Sequence, residues 1–321
     1  MVDRAEDDRV VDDTAADDGA ADDGATTGGT AARRATLIGA GAILLWSTLA
    51  LLTTLTGPIP PFETEAVAFA VGGLIGIVWM VARGRSPWLA LRQPPVAWVL
   101  GVGGLFGYHF LYFLALKSAP AAEANLINYL WPLLIVLFAG LLPGERLGRR
   151  QLAGALVGLA GTGLLVTGGR GLSVDPAYLP GFLAAAGAAV TWGAYSTLSR
   201  LLGAVPTDAV AFFCLATAAL SALCHGALEA TVAPDAGQWT LLALMGLGPV
   251  GAAFFVWDIG MKKGDIHTLG ALSYATPLLS TLLLILAGRA QASGVVAASC
   301  LLIIAGAAIA SWKPRRWKAP V

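Results

Sequence analysis

The chain has 321 residues, 57% of them hydrophobic and 12% charged, with a mean hydropathy of +0.73. A soluble domain carries about a quarter charged residues, so this composition excludes one and points to a membrane protein. The formal net charge of zero joins two unlike parts: ten of the 20 acidic residues precede residue 33, and beyond it 18 Lys/Arg face ten Asp/Glu.

Residues 1–32 are rich in Asp, Ala, Gly and Thr and lack any aromatic residue, which reads as a disordered acidic tail. The apolar run that follows is too long for a signal peptide and lacks a basic start and a cleavage site. A helix needs about 20 apolar residues to cross a bilayer core of about 30 Å. Ten stretches qualify: 36–56, 65–82, 96–116, 121–142, 149–168, 178–199, 207–228, 238–259, 266–287 and 292–312. Short polar joints separate them, among them Gly57-Pro58, Pro143-Gly144 and Lys263-Gly264-Asp265.

The stretches fall into two similar sets. Trp46 and Pro60 recur 146 positions on as Trp192 and Pro206, while Gly103, Lys117, Tyr129 and Pro132 recur 145 positions on as Gly248, Lys262, Tyr274 and Pro277. Each set holds five stretches, an odd number, so the second enters the membrane from the opposite side. The expected fold is an all-α membrane protein of ten transmembrane helices, arranged as two inverted five-helix repeats around a central cavity. The first repeat covers 33–170, the second 171–313, and a basic tail occupies 314–321. With the N-terminus in the cytoplasm, 17 of the 20 Lys/Arg lie inside and only Lys117, Arg170 and Arg289 outside, which puts both termini in the cytoplasm. The outside loops are then acidic, with Glu63, Glu123, Asp175, Glu229 and Asp235.

Six tryptophans near segment ends (Trp79, Trp88, Trp98, Trp239, Trp312, Trp317) suit the membrane interface. Trp46, Trp131 and Trp192 lie near mid-segment, where an indole N–H seeks protein or a cavity rather than lipid. A core tryptophan packed on glycine is the plainer alternative. Tyr108 and Tyr112 share one helical face, with His109 beside them, and Asn125, Asn128 and Tyr129 share another. Helix–helix hydrogen bonding explains either asparagine taken singly; the cluster as a whole points to a site. Pro132, and its mate Pro277, remove a backbone bond at depth.

Absences narrow the function. No Asp, Glu, Lys or Arg falls in the middle third of any stretch, and with no carboxylate expected at the depth of His109, a neutral hydrogen-bonding role suits it. Asp258 and Lys262, four apart near a segment end, suit a local ion pair. Ser47 and Ser273 have no His-plus-acid partners, so no catalytic residue is expected. Cys214, Cys224 and Cys300, odd in number and in apolar segments, speak against a disulfide framework and a metal site. Gly161-Thr162-Gly163 and Gly168-Gly169 lie in a membrane helix and its exit, form no phosphate cradle, and leave no cofactor in view. Nothing points to nucleic acid as a partner, and no oligomeric state is specified, a monomer being compatible with the sequence. What remains is an uncoupled or weakly coupled carrier of a net-neutral substrate with an apolar body.

Ten helices in two inverted halves with Pro132 and Pro277 at matching places resemble the EamA-type drug/metabolite transporter superfamily. Within it, Leu45-Trp46-Ser47-Thr48, Gly107-Tyr108-His109-Phe110-Leu111-Tyr112 and Asn125-Leu126-Ile127-Asn128-Tyr129-Leu130-Trp131-Pro132-Leu133 are similar to the YddG-type aromatic amino-acid exporters. The resemblance implies a basket-like bundle that moves aromatic and other neutral amino acids out across a bacterial inner membrane by alternating access. It sets Trp46, Ser47, Tyr108, His109, Tyr112, Asn128, Tyr129, Trp131 and Trp192 at the substrate, and Pro132 and Pro277 at a hinge or kink. Because Ser273 and Thr276 stand where the first half has Asn128 and Trp131, the first half is expected to supply more of the aromatic surface. An exporter of other amphipathic metabolites or organic cations is the nearest rival, since aromatic walls also hold cations. A membrane-embedded enzyme or scaffold is the distant one.

Overall fold

A computed structural model describes residues 18–170 and 175–311. Residues 1–17 of the expected acidic tail, and the whole basic tail at 314–321, lie outside the described residues. Among the described residues every regular element is helical and no strand occurs. Seven helical stretches are long and apolar enough to cross a membrane: Gly29–Thr56, Pro61–Ala82, Pro95–Ser118, Arg149–Thr167, Ala209–Leu228, Ala236–Lys263 and Ile266–Leu286. Glu123–Ala139 and Gly294–Ala310 are shorter apolar helices. Outward-facing Leu37, Val99, Leu223 and Leu286 are exposed, as suits contact with hydrocarbon rather than water.

The first helix, α1 (Asp18–Ser47), begins inside the region that composition assigns to the tail, so the boundary at 33 is not where helix starts. Once a long apolar helix is nucleated, each added residue costs little, and the Ala-containing segment before it can be recruited. Thr48 breaks α1 from α2 (Leu49–Thr56). Ser47 and Thr48 donate their hydroxyls to the carbonyls of Leu44 (2.6 Å) and Leu45 (2.7 Å), a back-bonding that bends helices.

The remaining helices in chain order are α3 (Pro61–Ala82), α4 (Pro87–Leu91), α5 (Pro95–Val102), α6 (Tyr108–Ser118), α7 (Ala121–Asn128), α8 (Trp131–Ala139), α9 (Arg149–Thr167) and α10 (Leu179–Leu198). They continue with α11 (Ala209–Leu228), α12 (Ala236–Leu247), α13 (Ala253–Lys263), α14 (Ile266–Leu272), α15 (Ala275–Leu286) and α16 (Gly294–Ser311). Two interruptions recur at the 145-residue offset. A π turn at Gly103–Gly107 joins α5 to α6, and another at Gly248–Ala252 joins α12 to α13. Likewise α7 breaks from α8 around Tyr129, and α14 from α15 around Ser273 and Tyr274.

The packing follows the same offset. α1 lies on α13 and α10 lies on α6, while α3 pairs with α11 and α9 with α16. Small residues permit the approach, as expected where lipid supplies no hydrophobic drive between helices. A Cβ on Gly39 of α1 would stand 2.8 Å from the Cα of Gly260 on α13, and one on Gly104 would stand 2.3 Å from the Tyr195 ring. Larger residues at these two points would force the helices apart.

Candidate functional site

Four tryptophan rings meet where these helices cross. Trp46 of α1 lies edge-on to Trp192 of α10 (centroids 5.5 Å apart) and to Trp131 of α8 (6.3 Å), and 5.1 Å from Trp257 of α13. Trp131 and Trp192 also meet edge-on at 6.3 Å. Phe254 adds a ring 6.1 Å from Trp46 and stacks on Phe69 at 5.4 Å. Edge-to-face aromatic pairs contribute about 0.5–1.5 kcal/mol each beyond area burial, so the cluster is also a structural hub. Trp131, Trp192 and Trp257 are buried and Trp46 is half-buried. Side chains pack against one another where the resemblance implies a central cavity.

A polar flank adjoins the rings. Tyr108 lies 5.3 Å from Trp192, stacks on Tyr112 and receives a hydrogen bond from Asn128 Nδ2 at 3.2 Å. Tyr112 donates to Asn125 Oδ1. Asn128 is buried and its Oδ1 has no partner. The π turn at Gly103–Gly107 aims this face, because an inserted residue rotates everything after it; such turns recur at functional sites. His109 sits edge-on to Phe69 at 5.3 Å, with Nδ1 2.7 Å from the Leu105 carbonyl. Since that oxygen can only accept, Nδ1 carries the proton and Nε2 is the free nitrogen.

The expectation that no carboxylate lies at the depth of His109 fails. Glu65 Oε1 stands 3.5 Å from His109 Nδ1, and Glu65 is buried. Hydropathy starts this segment at 65, but Pro61, pre-shaped for a first helical turn, starts α3 one turn earlier and carries Glu65 inside. Glu63 is not a loop residue either. It is buried and accepts from Val232 N, beside His225 and Glu229; Glu229 in turn accepts from the backbone of Phe62 and Glu63.

At the opposite end of the bundle a second polar layer ties the joints together. Arg200 reaches Glu145 (3.0 Å) and donates to the carbonyls of Met261 (3.0 Å) and Gly264 (2.8 Å). The expected pair of Asp258 and Lys262 forms at 2.9 Å.

The sequence pattern of the EamA-like transporter family matches twice, over residues 33–167 and 179–312. The chain belongs to the EamA-like transporter family. It is 58% identical to the aromatic amino acid exporter YddG of Ancylobacter novellus over 88% of this chain and 98% of that one. To the exporter of the same name from Escherichia coli K12 it is 29% identical, over 78% and 87%. A solved crystal structure superposes with a TM-score of 0.83 at 57% identity, covering 87% of this chain and 97% of its own.

Of the residues singled out from this family member's sequence, the fold brings Trp46, Tyr108, His109, Trp131 and Trp192 into one cluster, with Tyr112 and Asn128 adjoining. Ser47 is buried, but its hydroxyl is turned back onto its own helix. Tyr129 is half-buried at the α7–α8 break and, among the described residues, makes no ring contact with the cluster. Pro132 opens α8, and Pro277 lies in the first turn of α15, so each missing N–H falls beside a break. Sequence reasoning missed Trp257, Phe254 and Glu65. The repeat held the signal for two of them: 145 residues before Trp257 and Phe254 stand Tyr112 and His109. The second half adds Trp192, Phe254 and Trp257 to the rings that the first half supplies from Trp46, Phe69, Tyr108, Tyr112 and Trp131.

Proposed function

We propose that this protein exports aromatic and other neutral amino acids across a bacterial inner membrane by alternating access, down the substrate's own gradient. The near full-length relationship to an exporter named for aromatic amino acids carries the substrate class. The tryptophan cluster, with hydrogen-bonding groups on one flank, supplies the chemistry such a substrate needs. Apolar and edge contacts from Trp46, Trp131, Trp192 and Trp257 receive the side chain. Tyr108, His109, Tyr112, Asn128 and Tyr129 offer hydrogen bonds to its zwitterionic end.

In this reading the bundle is two five-helix repeats, 33–170 and 171–313, inverted about the midplane. Both termini face the cytoplasm, with the acidic tail 1–32 and the basic tail 314–321 flanking the repeats. The matched π turns, matched breaks and exchanged helix pairs support it. Pro132 and Pro277 are the hinge points, letting α8 and α15 rock against α7 and α14. A monomer suffices, and no bond is made or broken in the substrate.

Proteoliposomes holding the purified protein and labelled phenylalanine test this. Efflux is expected without an imposed proton gradient, and Trp131→Ala is expected to lower it at least about tenfold, the loss of some 1.4 kcal/mol of binding to the moving state. No phenylalanine flux in the intact protein would end the amino-acid reading. Flux that needs the gradient would end the uncoupled one.

A further inference from the structure

The three buried carboxylates near His109 and His225 are not alike. Glu229 accepts from Phe62 N and Glu63 N at the start of α3, where the helix dipole also favours an anion, and meets His225 at 3.1 Å. Glu63 accepts from Val232 N at 3.0 Å. Glu65 is 4% exposed, and neither of its oxygens has a backbone or cationic partner seated on it. His109 does not fill that role, since its Nδ1 is 3.5 Å away and turned to the Leu105 carbonyl at 2.7 Å. Ser221 of α11 lies beside Glu65, and its buried hydroxyl is the group that hydrogen-bonds toward the carboxylate. Glu229 and Cys224 are the further titratable neighbours, and they add no fixed cation. A buried carboxylate left unpaired in a membrane is costly, so this is a position built for a cation that comes and goes.

Resting on the amino-acid reading above, we propose that Glu65, with Ser221, is the receptor for the α-ammonium group of the transported amino acid. A primary ammonium has three N–H donors and no acceptor. Glu65 Oε1, Glu65 Oε2 and Ser221 Oγ together offer lone pairs for them, with no fixed cation in place. The placement fits the rest of the site. The His109 ring, whose Nδ1 is 3.5 Å from Glu65, has its centroid 6.3 Å from that of Phe254 and 5.0 Å from that of Tyr108, both of which touch the tryptophan cluster. A ring held among the tryptophans thus points its cationic end past the His109 ring toward Glu65. The hydroxyl of Tyr108, which accepts from Asn128 and keeps its own O–H, remains for the substrate's carboxylate end. This makes the site selective for the zwitterion over compounds that share the ring and lack the amine.

The test compares phenylalanine with 3-phenylpropionate, which has the ring and carboxylate but no amine, by calorimetric binding to the full chain in detergent. Wild type is expected to prefer phenylalanine strongly. In Glu65→Gln the ratio of the two affinities should fall at least tenfold, mainly through weaker phenylalanine binding, and in Ser221→Ala it should fall severalfold. Should the glutamine variant not fold, the Ser221→Ala ratio decides alone. Ratios unchanged from wild type, or equal losses for both compounds, overturn the assignment. So does an unchanged ratio in Glu65→Gln accompanied by a changed response of flux to a proton gradient, which would make Glu65 a proton site. Wild type that binds neither compound brings down the amino-acid reading, and this proposal with it. Wild type that binds phenylalanine with a ratio indifferent to Glu65 brings down this proposal alone.

Discussion

The two walls of the central site are built on one helical frame and finished in different chemistry. At the 145-residue offset, Tyr108, His109, Tyr112, Asn128 and Trp131 in the first half answer to Ala253, Phe254, Trp257, Ser273 and Thr276 in the second. Both sets follow a π turn or flank a broken helix, so the backbone presents them alike. The first wall keeps its polar atoms available: Tyr108 accepts from Asn128, and Asn128 Oδ1 is unpartnered. In the second wall Trp257 donates its indole N–H to Ser196 at 3.0 Å, and Ser273 bonds back to Leu269 at 2.8 Å. The repeated frame thus carries a polar wall and an apolar one. A neutral amino acid with a large apolar side chain has two poles to match.

The largest effect expected from this difference is on stability. Trp257 is 1% exposed and touches Trp46, Trp131 and Trp192, so Trp257→Ala removes a ring from the hub and leaves a cavity. Such truncations cost about 3–5 kcal/mol. Its mate Tyr112 is half-buried, and Tyr112→Ala should cost distinctly less in thermal unfolding of the detergent-solubilised protein. Equal losses would mean that the second wall is not the structural one.

Next in size is a swap that makes the first wall resemble the second. His109→Phe copies what the second half carries at Phe254, a residue already accommodated against Phe69 and Trp46. Folding should survive, because one apolar ring replaces another ring among aromatic neighbours. Phenylalanine efflux should fall at least about tenfold, equivalent to some 1.4 kcal/mol. A variant that transports like wild type would reduce the polarity of the first wall to an accident of sequence.

Legibility differed between these walls for physical reasons. Spanning helices show in a sequence because each needs a long apolar run, and apart from the early start of α1 the described spanning helices begin and end within a few residues of the stretches that hydropathy marks. Trp46, Trp131 and Trp192 stood out because an indole at mid-segment has no interface to sit in. Trp257 escaped because Asp258 and Lys262 beside it make the segment end look near, although the helix carries them inward as a bonded pair. Glu65 escaped because the hydropathy stretch begins at it and so sets it at the membrane edge, whereas α3 starts at Pro61 and carries it one turn inward. Ser47 looked available as a donor. Its hydroxyl instead bonds to Leu44, a local closure that no spacing pattern reveals.

The smallest effect is the most discriminating. Asn128→Ser puts the second wall's residue into the first, and a serine there should bond back to the preceding turn as Ser273 does to Leu269. Tyr108 then loses its donor, a single neutral hydrogen bond with a net contribution of about 0.5–1.5 kcal/mol. If Asn128 only helps to hold the substrate, KM should rise about threefold to tenfold with kcat unchanged, the signature of lost uniform binding. The position allows a different outcome. Pro132 cannot donate to the Asn128 carbonyl four residues before it, so Asn128 also stands at the α7–α8 break, where the halves are proposed to rock. A fall in kcat at constant KM would move Asn128 from the holding of substrate to the motion. The polar wall would then be the part of the frame that bends, with Ser273 beside Pro277 as its counterpart in the second half.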